Sequence, residues 1–371
     1  MPPLSSRDRF YAAVNHQQPD RTPVDLFWSG GEVLDALRKK LGLADDADMR
    51  KVVGSDMAWI GGRKLIYTDY EKKLAESRAK FPQLNPNRVW HDETTFEDPW
   101  GTIERFGSDS HYLQWISGPL AAIDTLDELQ SRWSIPAHEY AQTFDDYAAY
   151  VAEWKAKDFV VIAGVSLPFK MCWYLRGMEK FMMDMVSNVE YAEFLFDQMY
   201  AFNTKIAVDL ARAGVDVISV VGDIGGQDSL MFSPRVFRKL MKPRYTAFVQ
   251  AVKEANPKAL IFNHSDGNVM SVVGDYIDIG VDILNPIQPE CMDIPALKKQ
   301  YGNNITFHGA VSVQTTIPQG SVEDVRAEVK SRIEVLGKGG GYILAPTNVI
   351  PYNSPVLNVA EVFRAAGSMT R

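Results

Sequence analysis

Residues 259–268 read Ala-Leu-Ile-Phe-Asn-His-Ser-Asp-Gly-Asn. A short apolar run ends in His264, and Asp266 follows two residues later, just before Gly267. Such a run predicts a buried strand that delivers an imidazole and a carboxylate to its C-terminal end. In a parallel α/β sheet, active sites are assembled at that end. The pair can bind a metal ion, position a carboxylated substrate or carry protons.

Other apolar runs end in comparable residues. Trp28 follows 24–27, Gly222-Asp223 and Gln227 follow 215–221, and Gln288 follows 281–284. His308 follows 305–307, and Thr347-Asn348 follow 342–345. Asp223 sits in a Gly-rich turn. It either bonds its own backbone or offers a carboxylate to a cation, a pyrrole N–H or a proton. His308 is either a core imidazole bonded to a carbonyl or a pocket residue. Gln288 and Asn348 either cap loops or meet substrate. The expected catalytic set is Asp223, His264 and Asp266, with His264 and Asp266 as metal ligands. The expected substrate-binding set is Trp28, Gln227, Gln288, His308 and Asn348. Cys172, among Met171, Trp173 and Tyr174, reads as packing, whereas Cys291 lies on a loop near the strand ends. Neither G-x-S-x-G nor H-E-x-x-H occurs, so a nucleophile-elbow hydrolase and a zincin are not indicated.

These residues need a frame to converge. From residue 159 onward, fully apolar runs of strand length alternate with amphipathic helical segments. The runs are 159–164, 215–221, 259–263, 281–284, 305–307 and 342–345. The helical segments include 178–186, 189–213, 234–255, 295–300 and 322–336. This alternation predicts a parallel sheet covered on both faces. Adding 24–27 and a weaker run at 56–60 makes eight strands, which suggests a (β/α)8 TIM barrel. A doubly wound sheet would carry an early Gly-rich phosphate loop, and none is present. Residues 61–135, rich in Pro, Trp and charge, read as an irregular excursion within a single domain spanning 1–371. Helices are also expected at 6–15, 32–41, 124–133 and 145–157.

The 371 residues are 46% hydrophobic and 23% charged, with a net charge of -8. That balance supplies a sizeable core. It argues against nucleic acid as a partner, because phosphate binding is driven by Lys and Arg. Two cysteines allow neither a disulfide framework nor a Cys-rich zinc site, and they fit a reducing compartment. The N-terminus lacks a signal-peptide core, and no apolar run reaches the roughly 18 residues of a membrane span. A cytoplasmic protein with a small-molecule substrate is expected, as a homodimer where it assembles, with no nucleic-acid or membrane partner.

The order of motifs resembles the uroporphyrinogen decarboxylase superfamily nearly end to end. Arg7-x-Arg9-Phe10-x-Ala12-Ala13-x-Asn15 and Pro19-Asp20-Arg21-x-Pro23 open the match. Asp98-Pro99-Trp100-Gly101 and Gly118-Pro119-Leu120-Ala121 follow. Then come Gly222-Asp223, Gln227, Ser233-Pro234 and Phe262-x-His264-Ser265-x-Gly267-Asn268. Gly280-Val281-Asp282-x-Leu284-Asn285-Pro286-x-Gln288 and Gly339-Gly340-Gly341-Tyr342-Ile343-Leu344-Ala345 close it. The resemblance implies a (β/α)8 barrel and offers two chemistries. Decarboxylases of this kind place an Arg-Gln-Ala-Gly-Arg motif after the first strand, where this chain has Phe27-Trp28-Ser29-Gly30-Gly31. The other branch holds methyltransferases and O-demethylases that work with a corrinoid protein. Its coenzyme M members bind zinc through His-x-Cys and a later Cys. Here His264 is kept, Asp266 replaces the first Cys, and Thr347-Asn348 stand near the second.

Oxygen ligands in place of thiolates make a harder site, suited to an oxygen-bearing substrate such as a methyl ether. The leading expectation is methyl transfer from a small O- or N-methylated donor to a corrinoid on a partner protein, with zinc assisting. The runner-up is a cofactor-free carboxy-lyase acting on a tetrapyrrole or another polycarboxylate, with Asp223 central and Arg21, Arg63 and Lys64 supplying charge. A third reading is a corrinoid- or tetrapyrrole-binding protein without turnover.

Overall fold

The computed structural model describes residues 3–27, 31–44, 48–107 and 110–369. Its centre is a curled, fully parallel seven-stranded sheet. The strands, in chain order, are β1 (Met57–Trp59), β2 (Val160–Ser166), β3 (Val217–Val221) and β4 (Leu260–His264). They continue with β5 (Ile283–Asn285), β6 (Thr306–Val311) and β7 (Tyr342–Pro346). Each pairs with its sequence neighbour, so spatial order equals chain order. This is the arrangement that repeated right-handed βα units produce.

Among the described residues the parallel sheet has seven strands, not the eight expected. The run at 24–27 is no strand: it makes a single parallel bridge, Val24 to Leu344. Pro23 has no N–H to donate, which limits ladder formation there. The segment still touches both edges of the sheet. Asp25 N donates to Leu344 O at 2.9 Å, and Leu344 N donates to Pro23 O at 2.9 Å. On the other side Asp56 N donates to Val24 O at 2.8 Å.

Strand side chains alternate between two cores. Val160, Ile162, Val217, Phe262, Ile283, Ile343 and Ala345 form one cluster with Phe10 and Phe27. Phe10 comes from α1 (Ser6–Val14) and is fully buried. Ile261, Val161, Ile218, Leu284 and Phe307 belong to a second, larger cluster shared with the covering helices. Phe262 and His264 therefore share a face, while Asn263 turns outward and accepts from Tyr245 Oη at 3.0 Å.

The excursion at 61–135 is more ordered than its composition suggests. It holds a helix, Thr68–Lys80, and a four-stranded antiparallel sheet from Val89–Trp90 to Ser110–Ser117. The helical stretch expected at 234–255 is broken. A wide turn at Phe237–Met241 precedes the helix Lys242–Ala255, because Pro243 cannot donate to the preceding turn. Among the described residues, no helix is long and apolar enough to cross a membrane.

The N-terminal ends of the strands are tied by ions. Asp56, fully buried, accepts Arg9 Nη1 at 2.6 Å, Arg21 Nη1 at 2.8 Å and Val24 N at 2.9 Å. Arg9 Nε also donates to Asp20 at 2.7 Å, and this bond draws the Asp20 carboxyl down to about 2. Removing one member of such a buried set leaves charge uncompensated. Asp56→Asn should therefore lower stability by about 3–5 kcal/mol. Urea unfolding should show a lower midpoint with an unchanged m-value; a midpoint equal to wild type would contradict this account.

Candidate active site

Two glycine-containing turns build the site by approaching backbone to backbone. A Cβ on Gly225 would stand 2.5 Å from Asp266 O. Gly267, at φ +82°, has room for none, with Gly226 O at 2.4 Å from that position. Only glycine fits both places. The contact is hydrogen-bonded throughout. Asn268 N donates to Gly226 O at 2.7 Å, Gly222 N to His264 O at 3.2 Å, and Ile224 N to Ser265 Oγ at 3.0 Å. Asp266 N donates to Asp223 Oδ1 at 2.9 Å. The turn after β3 is thereby locked onto the turn after β4.

The result brings Asp223, His264 and Asp266 together, with one ligand atom from each lying within 4.8 Å of the others. His264 Nε2 is 3.6 Å from Asp223 Oδ1 and 3.9 Å from Asp266 Oδ1. His264 is buried, whereas the Asp223 side chain is 41% exposed, so the cluster opens on one side. Burial pushes the Asp266 carboxyl above its ordinary value. His264 opposes the rise and Asp223 adds to it.

Each member is held from behind. Asn348 Nδ2 donates to Asp266 Oδ2 at 2.5 Å. His264 Nδ1 lies 2.5 Å from Asn285 Oδ1. Asn285 Nδ2 lies 2.7 Å from His308 Nδ1, and His308 Nε2 lies 3.1 Å from Asp25 Oδ2. His308 is fully buried and connects to the cluster through Asn285. Gln288 is also buried and accepts Gly267 N at 3.1 Å. Gln227 donates to Glu290 O at 3.3 Å on the exposed side. Trp28 lies outside the described residues.

Burial raises both cysteine thiols, with Glu290, Asp266 and Asp228 adding to the rise at Cys291. Neither thiol is set up as a thiolate. Arg21 is engaged with Asp56. Arg63 stacks on Tyr140 at 3.5 Å, with Asp209 3.8 Å away.

Sequence reasoning did not single out Asp25, and it named Asp98 only as part of the motif at 98–101. The signal for Asp25 was an ionisable residue inside the apolar run Val24-Asp25-Leu26-Phe27. Asp98 belongs to the excursion. It lines a cavity of about 190 Å³ with Trp100, Thr102, Ser166, Lys170 and Tyr174. Lys170 and Tyr174 come from α2 (Pro168–Arg176), which packs on Gly222, the residue before Asp223. The charge of Asp223 contributes to raising the Tyr174 hydroxyl, so cavity and cluster are electrostatically linked.

Burial pushes the Asp98 carboxyl up to about 6, against the pull of Thr102 and Trp100 N–H groups. An unfolded Asp ionises near pH 4. The stabilising contribution of Asp98 is thus complete below about pH 4 and is lost as pH rises through about 6. Asp98→Asn keeps the acceptor oxygen and removes the charge. At pH 8 the variant should be more stable than wild type by about 1–2 kcal/mol, after discounting for partial exposure. The gap should close below about pH 4 in parallel denaturation curves; a pH-independent gap would refute the assignment.

A family model described as uroporphyrinogen decarboxylase (URO-D) matches residues 116–369. A solved methyltransferase from Methanosarcina mazei is similar over 98% of this chain and 98% of its own, with a TM-score of 0.65 and 19% identity. A protein assigned as a vitamin-B12-independent methionine synthase from Listeria monocytogenes aligns over 94% of this chain and 96% of its own, with a TM-score of 0.40 and 12% identity. No curated protein matches the sequence. At such identities the likeness to the first structure concerns its fold.

Proposed function

Because the chain belongs to the uroporphyrinogen decarboxylase family, we propose that it transfers a methyl group from a small O- or N-methylated donor to a corrinoid on a partner protein. The curled sheet is read as a (β/α)8 barrel in which residues 23–25 take the eighth place. Asp223, His264 and Asp266 are the catalytic residues. One observation carries the reading: two carboxylates and an imidazole converge at one point, a donor set that attracts a positive charge.

The set fits a divalent ion such as zinc. Ligand atoms about 2.0–2.2 Å from one tetrahedral zinc lie about 3.3–3.6 Å from each other. His264 Nε2 lies 3.6 and 3.9 Å from the two carboxylates, and the three ligand atoms lie within 4.8 Å of one another, so they would draw together around a shared ion. Asn285 and Asn348 support two of the ligands from behind, as ligands of bound metals require. A divalent ion held by these three residues supplies Lewis acidity at the donor heteroatom.

In the transfer, the bond between methyl and heteroatom breaks and the heteroatom keeps the electron pair. It then takes up a proton. The methyl group bonds to the cobalt of a reduced corrinoid, which provides the new bonding pair. Asp223 and His264 orient the donor. Asp266, with its raised carboxyl, is the group placed to give the proton if the site works without a metal. The cavity beside α2 accommodates the rest of a small donor. Engagement of Arg21 and Arg63 elsewhere speaks against a tetrapyrrole polycarboxylate as substrate.

The test follows loss of cob(I)alamin absorbance with methyl ethers and methylamines as donors. His264→Ala and Asp266→Asn should each slow transfer by roughly 100-fold or more. The purified protein should hold zinc in a one-to-one ratio, and His264→Ala should lose it. Turnover of uroporphyrinogen in place of methyl transfer would move the chain to the carboxy-lyase branch. Methyl transfer that is indifferent to zinc would remove the metal from the site. Tight corrinoid binding with no product would make it a binding protein.

A further inference from the structure

We propose that Asp25, acting through His308 and Asn285, fixes the tautomer of His264, with the proton on Nδ1 and the lone pair on Nε2. This makes Asp25, His308 and Asn285 positioning residues. Their relevance to catalysis rests on the reading of His264 given above, whereas the tautomer itself does not.

The polarity of the chain follows from its far end. Asp25 is 1% exposed. Its Oδ2 accepts Trp59 Nε1 at 2.7 Å, and its Oδ1 accepts Phe27 N at 3.1 Å. An indole N–H and a backbone N–H can only donate. Both oxygens are therefore acceptors, and the third group on them, His308 Nε2 at 3.1 Å, supplies a proton. In the neutral ring, His308 Nδ1 is then the nitrogen with the lone pair. It must accept, and the group facing it at 2.7 Å is Asn285 Nδ2. The same amide nitrogen lies 3.4 Å from the His308 carbonyl oxygen, which can only accept. Two acceptors at one end of the Asn285 side chain place its NH2 there and its oxygen at the other end. That oxygen is 2.5 Å from His264 Nδ1, so Nδ1 donates. Nε2, the nitrogen nearest Asp223 and Asp266, carries the lone pair.

Nothing in this chain is free to turn over. His264, Asn285, His308 and Asp25 are 4%, 0%, 0% and 1% exposed, so water cannot exchange for a misdirected bond. Phe262 and Phe27 pack on the His308 ring at centroid distances of 5.1 and 5.3 Å. Reversing one link reverses all of them. The opposite polarity would turn Nε2 into a donor toward the two carboxylates. It would also leave His308 without a proton for Asp25.

The experiment uses the full chain, metal-free and labelled with 15N-histidine, at a pH where both rings are neutral. Long-range proton–nitrogen spectra read the tautomer directly, with signals assigned by His264→Gln and His308→Gln. Wild type should show His264 protonated on Nδ1 and His308 protonated on Nε2. Asn285→Asp keeps an oxygen facing His264 and should preserve its tautomer. Asn285→Leu and Asp25→Leu should release it to a mixture. In calorimetric titration with zinc, Asn285→Leu should bind roughly 10- to 100-fold more weakly than Asn285→Asp. His264 protonated on Nε2 in wild type would overturn the proposal, as would a tautomer unchanged by Asp25→Leu or by Asn285→Leu. His264 protonated on Nδ1 in a chain that takes up no zinc would uphold the relay and refute the metal reading of the site.

Discussion

The carboxylate of Asp56 is the tie on which the rest of the architecture depends. It lies fully buried before β1 and gathers Arg9, Arg21 and the Val24 N–H. Those bonds hold residues 23–25 between the two edges of the sheet, where few ladder bonds are available. A buried ionic group of this kind is costly to desolvate, and its value lies in specifying one arrangement. Here that arrangement carries information across the sheet. Asp56 places the backbone of Val24, and the next residue, Asp25, reaches inward to His308.

The reactive end of the sheet is governed by backbone contact. Asp223 follows β3, while His264 ends β4 and Asp266 follows it. Their proximity is set by Gly225 and Gly267, which let two turns meet without side chains between them. The turn after β4 then donates Asp266 N to Asp223. Two half-buried carboxylates brought so close repel each other; partial burial is the main cause of the raised Asp266 carboxyl, and the neighbouring Asp223 adds to it. The fold tolerates this opposition beside His264 because amides of Asn285 and Asn348 absorb the outward-facing atoms.

The antiparallel excursion reaches as far as α2. It brings Asp98, Trp100 and Thr102 against α2 and encloses a small cavity. The cavity mixes a lysine, a tyrosine and a carboxyl that burial has made a weaker acid. Such a lining suits a small polar molecule better than a large polyanion. The sheet inserted between β1 and β2 thus supplies one side of a cavity whose other side, α2, packs on Gly222 before Asp223.

Much of this was legible in the chain. Apolar runs alternating with helical periodicity located β2 to β7, because strands buried on both faces must be apolar throughout. The grouping of Asp223, His264 and Asp266 could be read from strand ends, and the motif order pointed to the family. The run at 24–27 looked like a strand and is a single bridge, since local pattern does not report where a proline leaves the ladder unmade. His308 could be read as a core imidazole or as a pocket residue; it is interior, because only the packed sheet decides which rung an imidazole occupies. Asp25 was invisible as a partner of His308, from which 283 residues separate it. Residue types and their periods are local properties, so the sequence by itself determined the strands, the helices and the kinds of chemistry at their ends. Direction within a hydrogen-bond chain is set by donors and acceptors from distant segments. Which nitrogen of His264 carries the proton was therefore decided by tertiary structure alone.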